Sequence, residues 1–191
     1  MFAFFAGLAA GLLHVFSGPD HLAAVAPLAI DGERRGWRTG LQWGFGHTAG
    51  VLLIASLLLL LKERLPLDAI SIYSERVVGL SLIAVGGWGI WKASRAVIVP
   101  HSHSGASFAM GTIHGLAGSS HLFGVLPALA FTERADSLLY LAGFGSGAIA
   151  GMSAFAAGVG LVSIRLGSLR GFLYASSAAA LVIGGVWLVG R

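Results

Sequence analysis

Residues 14–21 read HVFSGPDH and place two histidines, an aspartate and a glycine–proline pair inside an apolar stretch that runs from residue 2 to residue 30. Ionisable side chains are costly inside a membrane span and mark functional sites there. On a straight helix His14 and His21 would lie about 10.5 Å apart along the axis, which is marginal for one shared ion. Pro19 lacks an N–H and crowds the carbonyl of Val15, which disrupts a helix. We therefore predict that the first helix is broken near Gly18-Pro19, so that both histidines and Asp20 swing together; the alternative is an ordinary proline kink beside a solvated cavity.

The composition around this stretch is that of an integral membrane protein. Of the 191 residues, 56% are hydrophobic and only 10% are charged, and the mean hydropathy is +0.84. A soluble domain usually carries about a quarter charged residues. Segments long enough for a spanning helix run over residues 2–30, 37–61, 75–99, 107–131, 137–164 and 171–190. The gaps are too short for a soluble domain, so we predict an all-α protein with a single transmembrane domain over residues 1–191 and six transmembrane helices.

The charge distribution bears on partners and orientation. The net charge is +4, but the Lys and Arg residues cluster at the ends of the predicted helices, which indicates membrane anchoring and no nucleic-acid partner. The loops between segments 1–2, 3–4 and 5–6 hold the larger share of these cations, which places both termini outside. The chain has no cysteine, which excludes thiolate metal sites and iron–sulfur clusters. We expect the lipid bilayer of a prokaryotic inner (plasma) membrane, and a homo-oligomer stays open.

An internal repeat divides the chain into residues 1–99 and 100–191. A shift of 100 residues aligns His14 with His114 and His21 with His121, together with Gly18 and Pro27 and their counterparts Gly118 and Pro127. Each half holds three predicted helices, and an odd number of crossings brings the second half in from the opposite face. The repeat therefore predicts two inverted three-helix repeats, with a binding site near the midplane between them.

Further histidines extend the candidate site. His47 lies in the second segment, among glycines that permit close helix approach, and we expect segments one and two to pack side by side. The second copy, residues 114–121, keeps His114 and His121 but has serines in place of Pro19 and Asp20. It therefore lacks the acid and the kink, and we expect it to contribute less to the site. His101 and His103 lie in a loop, where they either capture metal at an entrance or are ordinary polar residues.

These side chains predict a metal site formed by His14, Asp20, His21 and His47, with His114 and His121 approaching from the other half. Asp20 is either a direct oxygen ligand or an acceptor that orients a histidine ring. Imidazole and carboxylate without sulfur suit Ni²⁺, Co²⁺, Zn²⁺ or Cu²⁺, whereas Mg²⁺ or Ca²⁺ would call for more oxygen donors.

The His…Asp-His pattern of the first segment, followed by Gly-His-Thr at residues 46–48, resembles the nickel–cobalt transporter superfamily, and within it the urease-accessory (UreH-like) membrane branch. The resemblance implies Ni²⁺ or Co²⁺ as the transported ion and His14, Asp20, His21 and His47 as motif residues. Five residues, where the nickel permease motif has four, separate His14 from Asp20-His21. The family's eight helices are reduced to about six.

The leading hypothesis is a secondary transporter of a divalent transition-metal ion, and not an enzyme. The chain has no Gly-x-x-x-x-Gly-Lys-Ser/Thr motif for nucleotide phosphates. A membrane haem protein that uses paired histidines is the first alternative. A metal-dependent membrane hydrolase is the second, although the His-Glu-x-x-His pattern is absent and Asp20 is the one acid deep in a span.

Overall fold

The fold is entirely helical over the part of the chain that the computed structural model describes, residues 1–31, 35–60, 67–95, 104–117 and 124–189. The helices are α1 (Phe2–Ser17), α2 (Pro19–Asp31), α3 (Gly36–Leu60), α4 (Leu67–Ala93), α5 (Ser104–Leu116), a 3₁₀ helix (Leu126–Ala130), α6 (Arg134–Arg165) and α7 (Leu169–Val189). Most bounds agree with the predicted segments, but α4 begins well before residue 75.

The first predicted span is broken where the sequence indicates. Helix α1 ends at Ser17, Gly18 is extended, and α2 begins at Pro19 at an angle of 76° to α1. The Gly18 N–H donates to the carbonyl of Val15, three residues earlier, and closes the last turn of α1. Pro19 then occupies a first helical position, where its missing N–H costs nothing. The prediction of a break near Gly18-Pro19 is confirmed.

The equivalent segment of the second half is also interrupted, so the expectation of one continuous helix over residues 107–131 without a break is wrong. Helix α5 ends at Leu116, and the Ala117 N–H donates to the carbonyl of His114. No proline is present there; the sequence at 115–120 reads GLAGSS, and glycine and serine are poor residues for a helix interior. Gly124 and Val125 are helical and lead directly into the 3₁₀ helix.

The apolar helices are those of a membrane protein. Among the described residues, α6 and α7 are each long and apolar enough to cross a bilayer, and the bent α1–α2 pair passes the same test of length and composition when it is taken as one span. Large apolar side chains such as Leu138, Val182 and Val186 are more than 60% exposed. Exposed apolar surface of that kind is what lipid covers. The six crossings stay a prediction.

Helix α1 packs mainly against α6, and the two run parallel. Added side-chain carbons at Gly7 and Gly11 would collide with the carbonyl oxygens of Tyr140 and Phe144, respectively. The glycines therefore let the two backbones touch. Neighbours in space here are distant in sequence, one helix from each half.

Helix α3 packs in the same way against α5. Gly46 and Gly50 of α3 lie against the carbonyl oxygens of Phe108 and Thr112, so these two helices are also parallel. The expectation that segments one and two pack side by side is met only by α2, which contacts α3. Gly46 and Gly50 pack against α5 and not against α1. A glycine-lined helix face permits close packing with any complementary helix, so the sequence of one helix does not identify its neighbour.

Two further pairs run antiparallel. Gly36 and Gly40 of α3 lie against Ala156 and Met152 of α6, in reverse order. Helices α4 and α7 also pair across the halves. Helix α2 lies inside this framework, with Ala23 to Ile30 all buried, and it contacts α3, α4, α6 and α7. It also contacts α1 and α5, so every other α-helix of the described chain supports the segment that carries Asp20 and His21.

Candidate metal centre

Four histidines and one aspartate from four helices meet around the break. His14 comes from α1, Asp20 and His21 from α2, His47 from α3 and His114 from α5. The ring centroid of His21 lies 4.7 Å from that of His14, 4.9 Å from that of His47 and 5.0 Å from that of His114. His21 is therefore the centre of the cluster, which we call the His/Asp cluster.

The cluster is deep in the protein. His47 is 0% exposed, His21 and His114 are each 1% exposed, and Asp20 is 4% exposed, whereas His14 is partly buried. His47 follows the first residue of α3 by eleven positions, which corresponds to about 16 Å along the helix. That is close to half of the roughly 30 Å hydrocarbon thickness. His47 therefore lies near the middle of α3 along its length.

Gly18 makes the assembly of the first three side chains possible. A side-chain carbon at this position would collide with Nδ1 of His21 and would lie 3.0 Å from Oδ1 of Asp20. The 76° bend then turns the start of α2 back towards the last turn of α1, which carries His14. The Gly-Pro pair therefore does two things: it ends α1, and it leaves room for the cluster.

Asp20 links both halves of the chain. Nδ1 of His21 donates to Oδ1 of Asp20 at 3.0 Å, and Nε2 of His114 donates to Oδ2 at 2.9 Å. Each of these rings, when neutral and donating to the carboxylate, carries its lone pair on the opposite nitrogen. The aspartate thus fixes the orientation and the tautomer of two histidines at once.

Two overlapping groups have the spacing of a metal site. The first is His14, His21 and His47, and the second is Asp20, His21 and His114; within each group the candidate ligand atoms lie within 4.8 Å of one another. His21 belongs to both. Nitrogen atoms bound tetrahedrally to a zinc-like ion lie about 3.3 Å apart, so no two ligand atoms in either group would have to approach each other by more than about 1.5 Å around an ion.

Trp43 belongs to the cluster and was not anticipated. Its indole stacks on His47 at 5.1 Å with an interplanar angle of 14°, and it also contacts His21 at 5.7 Å and His114 at 5.3 Å. It is fully buried. The available signal was its position four residues before His47, on the same face of α3.

The structure therefore brings together five of the six predicted ligand residues. His121 lies outside the described residues, as do His101 and His103. His114, for which the second copy predicted a lesser role, contacts Asp20 and His21 directly.

Sequence comparisons identify relatives of this chain. It is 38% and 36% identical to the chloroplast proteins FOR GROWTH AND FERTILITY 2 and 1 of Arabidopsis thaliana, over 177 and 183 residues. Each match covers 84% of this chain, but only 47% and 50% of those proteins, so the chain spans about half of their length. It is 30% identical to the urease accessory protein UreH of Bacillus sp. (strain TB-90), over 81% of this chain and 75% of that protein. No protein-family model and no solved structure matches.

Proposed function

The chain belongs to the family of the urease accessory protein UreH, and on that premise we propose that it is a secondary membrane transporter of a divalent transition-metal ion, with Ni²⁺ or Co²⁺ as the cargo. The single observation that carries the proposal is the His/Asp cluster, four histidines and a carboxylate gathered from four helices around a broken one. Broken helices that line polar sites near the midplane are a common arrangement in secondary transporters.

The donor set favours the first of the two ligand groups as the binding site. His14, His21 and His47 offer three imidazole nitrogens, which suit Ni²⁺, Co²⁺ and Zn²⁺. Three protein ligands leave further coordination positions open for water. An ion that the protein does not enclose completely can dissociate again, as transport requires. Asp20 orients His21 and His114 from behind, as carboxylates commonly do for metal-bound histidines.

Helix directions support an inverted repeat. Helix α1 is parallel to α6 and α5 is parallel to α3, while α3 and α6 run antiparallel. The first predicted helix of each half therefore packs, in the parallel sense, against the second predicted helix of the other half. We infer a pseudo-two-fold axis in the membrane plane that passes near the cluster, the arrangement in which one half rocks against the other around a fixed ion site.

The two alternative functions fit the cluster less well. The ring of His21 contacts three other imidazoles at 4.7–5.0 Å, so a haem macrocycle inserted beside it would have to push those rings apart. A hydrolase would need Asp20 as its base, but this carboxylate already accepts hydrogen bonds on both oxygens. We therefore propose a transporter without enzymatic activity.

We propose that the chain is embedded in a prokaryotic plasma membrane, with both termini outside. The names of the two plant relatives place those proteins in the chloroplast. A chloroplast membrane is therefore the other setting to consider for this family.

Transport can be tested in proteoliposomes that enclose a metal-sensitive dye, with Ni²⁺, Co²⁺ and Zn²⁺ supplied separately. We expect the wild-type chain to carry Ni²⁺ or Co²⁺ and His47→Ala to abolish the flux. Ser163→Ala, which removes a buried hydroxyl near the end of α6, is the matched control and should transport normally. Flux that survives in His47→Ala at the wild-type rate would exclude this cluster as the transport site.

A further inference from the structure

Three buried polar atoms of α3 and α5, the helices that carry His47 and His114, have no hydrogen-bond partner in the described part of the chain. They are Oε1 of Gln42, Nε1 of Trp43 and Oγ of Ser107. Trp43 and Ser107 are both 0% exposed. Buried polar atoms in native proteins almost always have a partner, and an apparent exception points to an unseen water or ion.

All three side chains lie on the same side of the cluster. Trp43 precedes His47 by four residues on one face of α3, and Ser107 precedes His114 by seven residues on one face of α5. Since α3 and α5 are parallel, both displacements lead towards the same membrane face, the one at which these two helices begin.

Gln42 lies on the same side of the cluster as Trp43 and Ser107. It precedes Gly46 by four residues, and Gly46 lies on the face of α3 that packs against Phe108 of α5. Its oxygen therefore lies at the α3–α5 contact, near the level of Ser107. One helical turn further towards the start of α3, Thr39 adds a hydroxyl that is only 3% exposed.

Trp43 lies between the histidine ligands and the polar groups of Gln42 and Ser107. Its ring contacts His47, His21 and His114, and its Nε1 is one of the buried polar atoms without a described partner. An ion that leaves the imidazoles on this side therefore meets the indole first, and the oxygens of Gln42 and Ser107 next. Neutral oxygen donors and water suit a divalent cation that is regaining its hydration shell.

We propose that Gln42, Trp43 and Ser107 line a hydrated passage by which the metal ion moves between the His/Asp cluster and the membrane face at which α3 and α5 begin. This inference rests on the proposed transport function and adds the route and its lining. The passage is lined by polar groups of α3 and α5, whereas residues 23–30 of α2, which also contacts α3, are apolar and buried.

A fourth buried hydroxyl supplies the comparison. Ser177 of α7 is also 0% exposed and its Oγ also lacks a described partner, but it lies against Gly89 of α4 and near Pro27. It is part of the contact between α4 and α7, whereas Gln42, Trp43 and Ser107 belong to α3 and α5. Ser177 is therefore the matched control. Its hydroxyl is buried and lacks a described hydrogen-bond partner, as that of Ser107 does, but it lies outside the proposed passage.

The chain contains no cysteine, so single cysteines can be introduced without altering a background. The test compares Ser107→Cys with Ser177→Cys in the full chain, reconstituted in proteoliposomes and exposed on both faces to a small cationic methanethiosulfonate. The thiolate is the reacting species, and its formation is suppressed in apolar surroundings. A shift of one pK unit alone lowers the thiolate fraction about tenfold, so we expect labelling at Ser107→Cys to be faster by at least about that factor.

Added Ni²⁺ should slow labelling at Ser107→Cys and leave Ser177→Cys unchanged. Gln42→Cys is a second position, and it should also be labelled and protected by Ni²⁺. Equal, slow labelling at positions 107, 42 and 177 would overturn the passage. The outcome is separable from the transport proposal, because wild-type proteoliposomes that carry no metal would count against transport whatever the labelling shows.

Discussion

Replacing Asp20 by asparagine tests how the cluster is organised. Both carboxylate oxygens now accept hydrogen bonds, at 3.0 Å from Nδ1 of His21 and at 2.9 Å from Nε2 of His114. An amide has nearly the same shape but only one acceptor oxygen, and its NH₂ group is a donor. One of the two histidines must therefore lose its acceptor, or turn its lone pair towards the amide and away from the ion.

The expected size of the effect follows from this geometry. Removing a group that orients a metal-bound histidine typically costs about 10- to 100-fold in metal affinity, which equals about 1.4 to 2.7 kcal/mol. Asp20→Asn should fall in this range, because the three ligands of the first group remain. His47→Ala removes a ligand outright and should weaken binding by more than Asp20→Asn does.

The measurement is Ni²⁺ titration by calorimetry of both variants and the wild type in detergent. Asp136→Asn, at the beginning of α6 and outside the cluster, is the matched control and should bind as the wild type does. Wild-type affinity in Asp20→Asn would refute the orienting role. A loss as complete as that of His47→Ala, with one oxygen ligand fewer in the X-ray absorption spectrum, would instead make Asp20 a direct ligand.

Two further predictions concern packing and pH. Gly147→Ala should destabilise the protein by about 1–3 kcal/mol, since the new methyl group would collide with the carbonyl oxygen of Leu8. The control is Gly158→Ala, whose methyl group meets no atom within 4 Å and which should be neutral or slightly stabilising. Equal melting temperatures of the two variants in detergent would contradict the close packing of α1 on α6. Metal affinity should fall as the pH falls, because imidazole binds metal only when neutral and its unperturbed pKa is about 6.5; titrations between about pH 8 and pH 5 that give one constant affinity would argue against histidine ligands.

Local sequence features predicted much of this fold. The bounds of α3, α6 and α7 follow from runs of apolar residues, because a spanning helix needs a minimum apolar length. The break at Gly18 follows from the covalent chemistry of Pro19. The end of α5 at Leu116 was missed because the glycines and serines after it give a weaker signal than proline, one that neighbouring helices can override.

The chemistry of the candidate site was also readable in part. Histidines and an aspartate in apolar segments stand out by composition, and His14, Asp20, His21, His47 and His114 do converge. Trp43 was not recognised, since an aromatic residue in an apolar helix is unremarkable until its neighbours in space are known.

By itself, then, the sequence determined that the protein is a helical membrane protein, where its first span breaks and which side chains are too polar for lipid, since all three depend on residues close together in the chain. Only the tertiary structure decided that α1 pairs with α6 and α5 with α3, that Asp20 bonds one histidine from each half, and that Trp43 covers the cluster. The physical reason is that lipid and apolar helix surfaces are nearly equivalent, so association depends on close fit between glycine-lined faces. Such a fit is a property of two surfaces together, and neither segment alone specifies its partner.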